Sequence, residues 1–333
     1  MTTIGDVARA AGVSAATVSR VLNGSATVSS ERAERVRQAA ESLRYQPSGP
    51  ARALRRRRTT LWAAIVADIE NPFFTSMIRG VEDIAQRENH RLVLCNTDED
   101  VDKEAAYVDV AIADRMAGVI IAVASTTRSS LDPLVAAGIP VVAVDRRPRS
   151  SAIDSVLVDN RLGARLATEH LLDGGATRVA CITGPARLSN AETRLAGYRD
   201  ALAERGHRLD RTLVRRADFR EEGGHRAACS LLDGPRPPDA IFVTSNLMTL
   251  GSLRALGERG CRVPDDVTLV GFDDALWTSL VSPPLSVVAQ PTAEIGRQAA
   301  ELLASAGSGR PARHVVLAPT LAIRESSRHR PAG

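Results

Sequence analysis

The stretch AGVSAATVSRVLN, residues 11–23, carries side chains whose types and spacing suit contact with DNA. Alanine methyl groups at positions 15 and 16 are small enough to let a helix approach base pairs, and they can touch thymine methyls. The arginine at position 20 reaches a guanine edge or a phosphate, and the nearby hydroxyl groups suit phosphate oxygens. The predicted DNA contacts in this stretch are Ser14, Ala15, Ala16, Thr17, Ser19, Arg20 and Asn23.

Two short helices are predicted to position these side chains. Thr3 and Asp6 fit a capping box for the first helix, and Gly12 supplies its C-terminal stop. Ser14 is placed to cap a second helix immediately afterwards. A third helix is expected over about residues 30–44. Two short helices joined by a tight glycine turn predict a helix-turn-helix, whose second helix lies in the major groove of DNA.

Charge is distributed unevenly along the chain. Residues 1–60 contain 11 arginines and four carboxylates, which gives this segment a net charge of +7. The remaining residues contain 32 basic and 35 acidic side chains, so the overall charge of +4 comes from the N-terminal segment. A small basic domain on a near-neutral body is typical of nucleic-acid-binding proteins. A solvated basic tail would carry the same charge, but the helical patterning favours a folded domain.

From residue 61 onward, short runs rich in Val and Ile alternate with helical segments. A first series of buried strands is predicted in LWAAIVAD, RLVLCNT, AGVIIAVA and PVVAVD, with helices at about 73–89, 102–115 and 127–138. A second series follows in RVACITG, TLVRRADF, DAIFVTS and VTLVGFD. Apolar strands separated by helices indicate parallel sheets covered on both faces. We therefore expect two doubly wound α/β subdomains, with a ligand cleft beyond the carboxyl ends of their strands.

Polar and aromatic residues collect where these strands end. Hydroxyl groups both donate and accept hydrogen bonds, and sugar C–H faces stack on rings, so this mixture suits a polyhydroxylated ligand. Alternatives remain for four residues: Asn71 as a helix cap, Arg194 and Asp273 as a structural ion pair, and Trp277 as a core residue. The strand-end residues are Asn71, Phe73, Phe74, Asp145, Arg146, Asn190, Arg194, Phe219, Ser245, Asn246, Phe272, Asp273, Asp274 and Trp277.

Catalytic and metal-binding motifs are absent from the sequence. It contains no G-x-G-x-x-G after the first strand, no G-x-x-x-x-G-K-[ST], no H-E-x-x-H and no G-x-S-x-G. The six histidines lack metal-ligand spacing, and the four cysteines form no C-x-x-C pair. We therefore expect no enzyme activity, no cofactor and no metal. A sugar-modifying enzyme would need a catalytic constellation, and a transport protein would need a signal peptide and no basic head.

Four segments carry a resemblance to a known family: IGDVA at 4–8, the stretch 11–23, YQP at 45–47 and ARAL at 51–54. Together they resemble the LacI/GalR family of bacterial transcription regulators, and the likeness extends over essentially the whole chain. It implies an N-terminal helix-turn-helix head of three helices and a hinge helix. It also implies a body similar to periplasmic sugar-binding proteins, with two doubly wound parallel-sheet subdomains.

The resemblance also implies roles for individual residues. Residues 47–58 match the hinge helix, and Leu54 matches the leucine that wedges into the minor groove at the operator centre. Arg52 and Arg55 are predicted to contact DNA, although the run 55–58 is as consistent with a solvated linker. The effector-site positions of the family are matched by Phe73, Phe74, Asn190, Arg194, Phe219, Asn246 and Asp273, to which we add the strand-end residues Asp145 and Trp277.

The sequence thus predicts a DNA-binding regulator, expected to be a repressor, whose operator affinity is controlled by a small molecule. The expected domains are a helix-turn-helix at 1–46, a hinge at 47–60 and an effector-binding and dimerisation body at 61–333. The expected partners are a palindromic operator, a carbohydrate effector and a second copy of the chain. Because neither a membrane span nor a signal region is found, we expect a cytoplasmic protein. The direction of the effector's action stays open.

Overall fold

The computed structural model of the protein describes residues 2–22, 28–45, 59–307 and 310–328. Its internal contacts divide the chain into two compact units, Met1–Thr59 and Thr60–Gly333. The predictions for the hinge helix and for Asn23, Arg52, Leu54 and Arg55 lie outside the described residues.

The N-terminal unit contains three helices, α1 (Ile4–Ala11), α2 (Ala15–Leu22) and α3 (Ser30–Ser42). The predicted capping box is present, because the Thr3 hydroxyl accepts from the Asp6 N–H and the Asp6 carboxylate accepts from the Thr3 N–H. Gly12 ends α1 in the left-handed conformation, with φ of 64°. The Ser14 hydroxyl accepts from the N–H of Thr17 at 3.2 Å and so caps α2. These contacts confirm the predicted helix-turn-helix.

A small aliphatic core holds the three helices together. Val7, Val18 and Val36 are completely buried, one from each helix, and alanines fill the space between them. The third helix ends at Ser42, two residues earlier than expected, and Leu43 is half-buried against this core. With side chains no larger than valine at its centre, the unit lets α1 and α2 approach closely.

In the second unit, strands and helices alternate as the sequence predicts. A helix expected at 127–138 is reduced to five residues, and four strands were not predicted: Asp154–Val158, Ser286–Ala289, His314–Leu317 and Thr320–Ala322. The Ser129 hydroxyl accepts from the N–H of Ser125, and this contact stabilises a loop where the helix was expected to begin. The elements up to residue 158 are β1 (Leu61–Val66), α4 (Pro72–Arg87), β2 (Arg91–Asn96), α5 (Val101–Ala113), β3 (Gly118–Ile121), α6 (Asp132–Ala136), β4 (Val141–Val144) and β5 (Asp154–Val158).

The same alternation continues to residue 289. Short 3-10 helices at Arg211–Leu213 and Leu276–Ser279 interrupt it. The elements are α7 (Asn160–Asp173), β6 (Val179–Thr183), α8 (Ser189–Glu204), β7 (Val214–Arg216), α9 (Glu221–Leu232), β8 (Ala240–Val243), α10 (Asn246–Glu258), β9 (Thr268–Phe272) and β10 (Ser286–Ala289).

The chain continues with α11 (Thr292–Ala304), β11 (His314–Leu317) and β12 (Thr320–Ala322). β11 joins the first of two six-stranded sheets and β12 joins the second. The first sheet has the order β11-β5-β4-β3-β1-β2 and is parallel throughout. The second has the order β12-β10-β9-β8-β6-β7, and only β12 runs antiparallel to its neighbour. The predicted pair of doubly wound sheets is confirmed.

Each sheet anchors one subdomain, and the chain crosses between them three times. The first subdomain comprises residues 60–158, 292–307 and 310–317, and the second comprises 159–291 and 318–328. Successive residues of β1 pack into hydrophobic clusters on opposite faces of the sheet. Trp62 packs in the cluster with α4 and α11, and Ala63 packs in the cluster with α5 and α6. Both faces of the first sheet are therefore covered. Among the described residues, no helix is long and apolar enough to cross a bilayer.

Helices α4 and α11 pack closely through a pair of glycines. A Cβ atom at Gly296 would lie 2.0 Å from the Met77 carbonyl oxygen, and one at Gly80 would lie 2.2 Å from the Ala293 carbonyl oxygen. We expect Gly296→Ala to lower the free energy of unfolding by about 1–3 kcal/mol, because the helices must separate. Urea unfolding of the full-length protein measures the change.

The matched control is Gly257→Ala in α10, where an added Cβ would meet nothing within 4 Å. There the substitution is expected to stabilise the protein by up to about 1 kcal/mol, because alanine restricts the unfolded chain. Equal effects at positions 296 and 257 would contradict the close approach of α4 and α11.

Candidate functional site

The exposed face of α2 presents most of the predicted DNA contacts. Ala15, Ala16 and Arg20 are exposed, and Ser14 is exposed at the start of the helix. Ser19 differs, since only 8% of its surface is accessible, so it offers little area to a partner. Two methyl groups beside one guanidinium form a low surface that a DNA groove can accommodate.

Thr17 combines a structural and an exposed role. It is half-buried, and its hydroxyl lies 3.0 Å from the Ser14 hydroxyl. The two hydroxyls and the capped N–H of Thr17 mark the N-terminal end of α2, where the helix dipole favours a phosphate. The predicted contacts therefore lie at the end of the helix that is best suited to an anion.

A cleft between the two subdomains gathers the strand-end residues. It encloses about 430 Å³ of space, part of it open to solvent, and every wall residue lies beyond the carboxyl end of a strand or on the helix that follows. The lining residues are Asp68, Asn71, Phe73, Phe74, Glu99, Asp145, Arg146, Asn190, Arg194, Asp218, Phe219, Arg220, Ser245, Asp273 and Gln290. Seven of the nine predicted effector-site residues are among them.

The remaining two, Asn246 and Trp277, have different positions. Asn246 is buried beside the cleft, where its amide donates to Asn71 at 2.9 Å and to Asp273 at 3.1 Å. Trp277 is half-buried against the hydrophobic core of the second subdomain and does not line the cleft. Its position supports the core alternative, because the 3-10 helix after Asp274 directs the chain away from the strand end.

Asn71 fulfils its predicted capping role and also takes part in the cleft. Its side-chain oxygen accepts from the N–H of Phe73 at 3.0 Å, which caps α4, and from the Asn246 amide. The Asn71 side-chain oxygen therefore links α4 of the first subdomain to α10 of the second subdomain. Phe73 and Phe74 pack edge to face within that turn, with ring centroids 5.0 Å apart.

Arg194 is buried and held by neutral partners. Its guanidinium donates to the Asn160 side-chain oxygen and to the Thr244 carbonyl oxygen, each at 2.7 Å, and lies 3.7 Å from the centre of the Phe272 ring. Among the ion pairs of the described residues, none joins Arg194 to Asp273 within 4.0 Å. Burial lowers the pKa of Arg194, and the charge of Asp273 opposes that shift.

Asp273 lies at the base of the cleft among amide groups. Gln290 donates to one carboxylate oxygen at 2.5 Å and Asn246 to the other at 3.1 Å. Burial raises the pKa of Asp273 above its usual range, while the nearby charge of Arg194 acts in the opposite direction. The carboxylate therefore depends on its hydrogen-bond donors, and a ligand hydroxyl would supply a further one.

Arg146 forms the charged wall on the side of the first subdomain. It donates to both Glu99 oxygens, at 2.8 and 2.5 Å, and forms an ion pair with Asp145 at 3.2 Å. The two Asp145 oxygens each accept from the Asn190 amide at 3.1 Å, a contact that connects the subdomains. Asp68 and Arg220 form a second connection as an ion pair of 2.6 Å.

Three cleft residues have left-handed backbone conformations. Asp145, Phe219 and Asp273 have φ of 63°, 62° and 74°, and each lies at the end of a strand. Side chains other than glycine rarely adopt this region, and such strain is concentrated at ligand sites. The conformation turns the chain sharply as it leaves the sheet.

The structure adds cleft residues that the sequence interpretation missed. Asp68 and Asp218 stand within two residues of predicted strands or site residues, so the strand-end rule could have included them. Gln290 follows β10, a strand that was not predicted. Glu99 and Arg220 also lie within two residues of a predicted strand, so the same rule could have included them.

Comparison with known proteins gives the same assignment as the geometry. Residues 3–48 match the family described as bacterial regulatory proteins, lacI family, and residues 168–327 match the periplasmic binding protein-like domain. The ribose operon repressor of Halalkalibacterium halodurans is 38% identical over 303 residues, which cover 91% of this chain and 89% of that protein. The chain belongs to the LacI family of bacterial transcription regulators.

Two solved structures of LacI-family regulators resemble the whole chain. The regulator CelR in complex with cellobiose is 34% identical and covers 98% of this chain and 100% of its own, with a TM-score of 0.75. The lac repressor dimer bound to operator and the anti-inducer ONPF is 26% identical and covers 98% and 99%, with a TM-score of 0.82. The LacI-family fold thus includes both the helix-turn-helix and the two-subdomain body.

The contacts of Arg194 predict a stability effect. Arg194→Ala removes the donor to two buried acceptors, Asn160 and Thr244, so we expect the free energy of unfolding to fall by on the order of 3 kcal/mol. Denaturant unfolding measures this change. As a control, Arg79→Ala removes an arginine whose side chain is 77% exposed and should change stability by less than about 0.5 kcal/mol. If both variants were equally stable, the structural role of Arg194 would be wrong.

Proposed function

We propose that this LacI-family regulator represses transcription by binding a palindromic operator, and that a neutral polyhydroxylated molecule bound in the cleft controls its affinity for DNA. The observation that carries the proposal is the combination of an exposed, small-residue α2 with a polar and aromatic cleft between two parallel sheets. Residues 1–46 serve as the DNA-binding domain, residues 47–60 as the hinge and residues 61–333 as the effector-binding and dimerisation domain.

DNA recognition follows from the side chains of α2. Arg20 is assigned the base contact, since it is exposed beside the methyl groups of Ala15 and Ala16. Ser14 and Thr17 are assigned phosphate contacts at the helix N-terminus, with Ser19 a lesser one because of its burial. The hinge residues Arg52, Leu54 and Arg55, with Asn23, retain their predicted DNA contacts as part of this proposal.

Arg20→Ala is expected to weaken operator binding by about 10–100-fold and non-specific binding much less, because a bidentate guanine contact discriminates by about 1–3 kcal/mol. Fluorescence anisotropy on operator and scrambled duplexes at fixed salt measures both affinities. Arg79→Ala in the second unit is the control for loss of one positive charge, since Arg79 is also exposed to solvent but lies outside the DNA-binding unit. Equal losses on both duplexes would assign Arg20 to a phosphate instead.

The charges of the cleft favour a neutral effector. Five carboxylates face three arginines, and each arginine already has partners within the protein. Arg146 is paired with Glu99, Arg220 with Asp68, and Arg194 donates to neutral oxygens. An anion would therefore meet excess negative charge, whereas hydroxyl groups would find the acceptors they need. The Ser245 hydroxyl and the Asn246 side-chain oxygen are buried without a partner in the structure, which favours a ligand that donates and accepts hydrogen bonds.

The relatives agree with this chemistry. Their names include a ribose operon repressor and a cellobiose-bound regulator, and we extend this class of ligand, a neutral carbohydrate, to the cleft of this chain. The alternative is a heterocyclic effector, which would stack on the aromatic rings of the cleft. We favour the carbohydrate because the cleft supplies five carboxylates for hydroxyl groups and only three aromatic rings.

Neutral monosaccharides are expected to raise the melting temperature of the protein, and their phosphate esters are not, because only a ligand of the folded state stabilises it. For the best sugar found, Phe219→Ala should weaken binding on the order of tenfold by removing a stacking surface, while Trp277→Phe should leave it unchanged. Isothermal titration calorimetry measures both. Preference for a phosphate ester or a purine would contradict the proposed effector class.

Allosteric control requires that operator and effector change each other's affinity by the same factor. Titration of the sugar with and without operator DNA tests this step separately. Unequal affinities would support allosteric control. Weaker sugar binding in the presence of operator would mean that the sugar releases the repressor from DNA, and tighter binding would mean co-repression. Equal affinities would contradict the control of DNA binding, even where both ligands bind.

Assembly and location complete the proposal. Leu276 and Leu280 are 80% and 74% exposed at the 3-10 helix of the second subdomain, and two such leucines suit burial against a second copy. A two-fold dimer matches a palindromic operator. We place the protein in the cytoplasm and assign it no enzymatic activity because its relatives are transcription regulators that act on DNA.

A further inference from the structure

Helices α9 and α10 carry a cluster of potential metal ligands, His225, Cys229 and Glu258, whose ligand atoms lie within 4.8 Å of one another. None of the three lines the cleft, and none belongs to the DNA-binding unit. We propose that this α9–α10 cluster is a binding site for a divalent transition metal ion, with Zn²⁺ the best match. The proposal does not depend on the nature of the effector.

The two ligands on α9 have the separation that zinc requires. His225 and Cys229 are four residues apart, so their side chains share one face of the helix. The Cys229 sulfur lies 3.7 Å from Nε2 of His225. Zinc binds sulfur at about 2.3 Å and nitrogen at about 2.0–2.1 Å, and in a tetrahedral site these ligands lie about 3.6 Å apart. The sulfur–Nε2 distance already has this value, but the sulfur lies almost as close to Nδ1, at 3.9 Å, so the imidazole ring has to rotate to direct its Nε2 lone pair at the ion.

Glu258 supplies the third ligand from α10. Its Oε2 accepts a hydrogen bond from Nε2 of His225 at 2.7 Å, and its side chain is 51% exposed. Tetrahedral nitrogen and oxygen ligands of zinc lie about 3.3 Å apart, so an ion would replace the hydrogen-bonded proton after a small outward shift of the carboxylate. Because Glu258 reaches solvent, that shift is open to it.

Close packing of the two helices brings the third ligand into range. A Cβ atom at Gly251 would lie 1.9 Å from the Glu221 carbonyl oxygen, and one at Gly224 would lie 2.3 Å from the Met248 carbonyl oxygen. These glycines let α9 and α10 approach more closely than larger residues allow. The ligand geometry therefore rests on the backbones of two packed helices, not on a loop.

A second carboxylate lies near the other ring nitrogen of the histidine. Oε1 of Glu222 lies 4.0 Å from Nδ1 of His225, beyond hydrogen-bond distance, and its side chain is 58% exposed. A carboxylate that binds the second ring nitrogen fixes the tautomer of a metal-bound histidine and makes it a better ligand. Glu222 would have to move closer to His225 to take this role.

The surrounding charges permit a cation. Arg254 is bound by Glu221 at 2.7 Å and by Glu222 at 2.6 Å, and Arg259 is bound by Asp233 at 2.6 Å. Both arginines also lie near Glu258, with Arg254 3.7 Å from Oε1 and Arg259 4.0 Å from Oε2, so a metal ion has to compete with them for this carboxylate. Loss of the Cys229 proton to solvent on binding would add a thiolate, and a divalent ion would balance it together with Glu258.

From the sequence we expected no metal, because the histidines lack metal-ligand spacing and the cysteines form no C-x-x-C pair. A His-x-x-x-Cys spacing within one helix is not a recognised zinc motif, and the third ligand is 29 residues further along the chain. Three protein ligands of nitrogen, sulfur and oxygen type leave one tetrahedral position for water.

The test uses the full-length protein, reduced and freed of metal by a chelator, and titrated with Co²⁺ and then Zn²⁺. We expect one equivalent of Co²⁺ to give a thiolate-to-metal charge-transfer absorption, which Zn²⁺ displaces. Cys229→Ser should abolish this absorption and weaken Zn²⁺ binding by at least about tenfold, as measured by competition with a chromophoric chelator. Zinc should also raise the melting temperature of the wild type but not that of the variant.

Cys261→Ser is the matched control, because Cys261 is also half-buried but lies outside the cluster. It should retain both the absorption and the affinity. His225→Gln provides a second ligand variant if Cys229→Ser proves unstable, and circular dichroism confirms that each variant is folded. Absence of the charge-transfer band in the wild type, or its persistence in both ligand variants, would overturn the proposal.

Discussion

The body of this regulator depends on one constraint of parallel sheets: strands that run in the same direction all end at the same edge. Among the described residues, eleven of the twelve strands run parallel to their neighbours and so end at such an edge, and the two sheets place these edges opposite each other. Residues as distant in sequence as Asp68 and Gln290 therefore line one cleft. Short contacts such as Asp145–Asn190 are possible only because both edges present their polar residues to the same space.

The same constraint explains how much of the site could be predicted. Buried parallel strands appear in sequence as continuous apolar runs, so the ends of β1, β4 and β9 were found, and with them Asp145 and Asp273. β11 and β12 were missed because they are short and partly exposed, with only an incomplete apolar pattern. β10 is buried but has four residues, and its omission removed Gln290 from the predicted site.

Side-chain direction could not be predicted in the same way. Trp277 stands four residues after Asp273, yet the intervening 3-10 helix places it against the core. The partners of Arg194 were also hidden, because Asn160 and the Thr244 carbonyl belong to elements far apart in the sequence. Charge alone suggested a bond to Asp273, whereas the structure holds the two groups in place through separate sets of neutral partners. The left-handed conformations at positions 145, 219 and 273 depend on this framework and have no sequence signature.

The three crossings between subdomains have a consequence for how the protein is made. His314 in β11 pairs with Ser155 in β5, so the first sheet, although it begins at Leu61, is finished by a strand that is synthesised after nearly all of the second subdomain. At about 5–20 residues per second, a ribosome needs many seconds to deliver β11 after β5 has emerged. During that interval β5 has an unpaired edge and α4 lacks its partner α11, while the second subdomain is being synthesised. The subdomain that starts first is therefore exposed to misassembly for longest, and the rate of translation sets that interval.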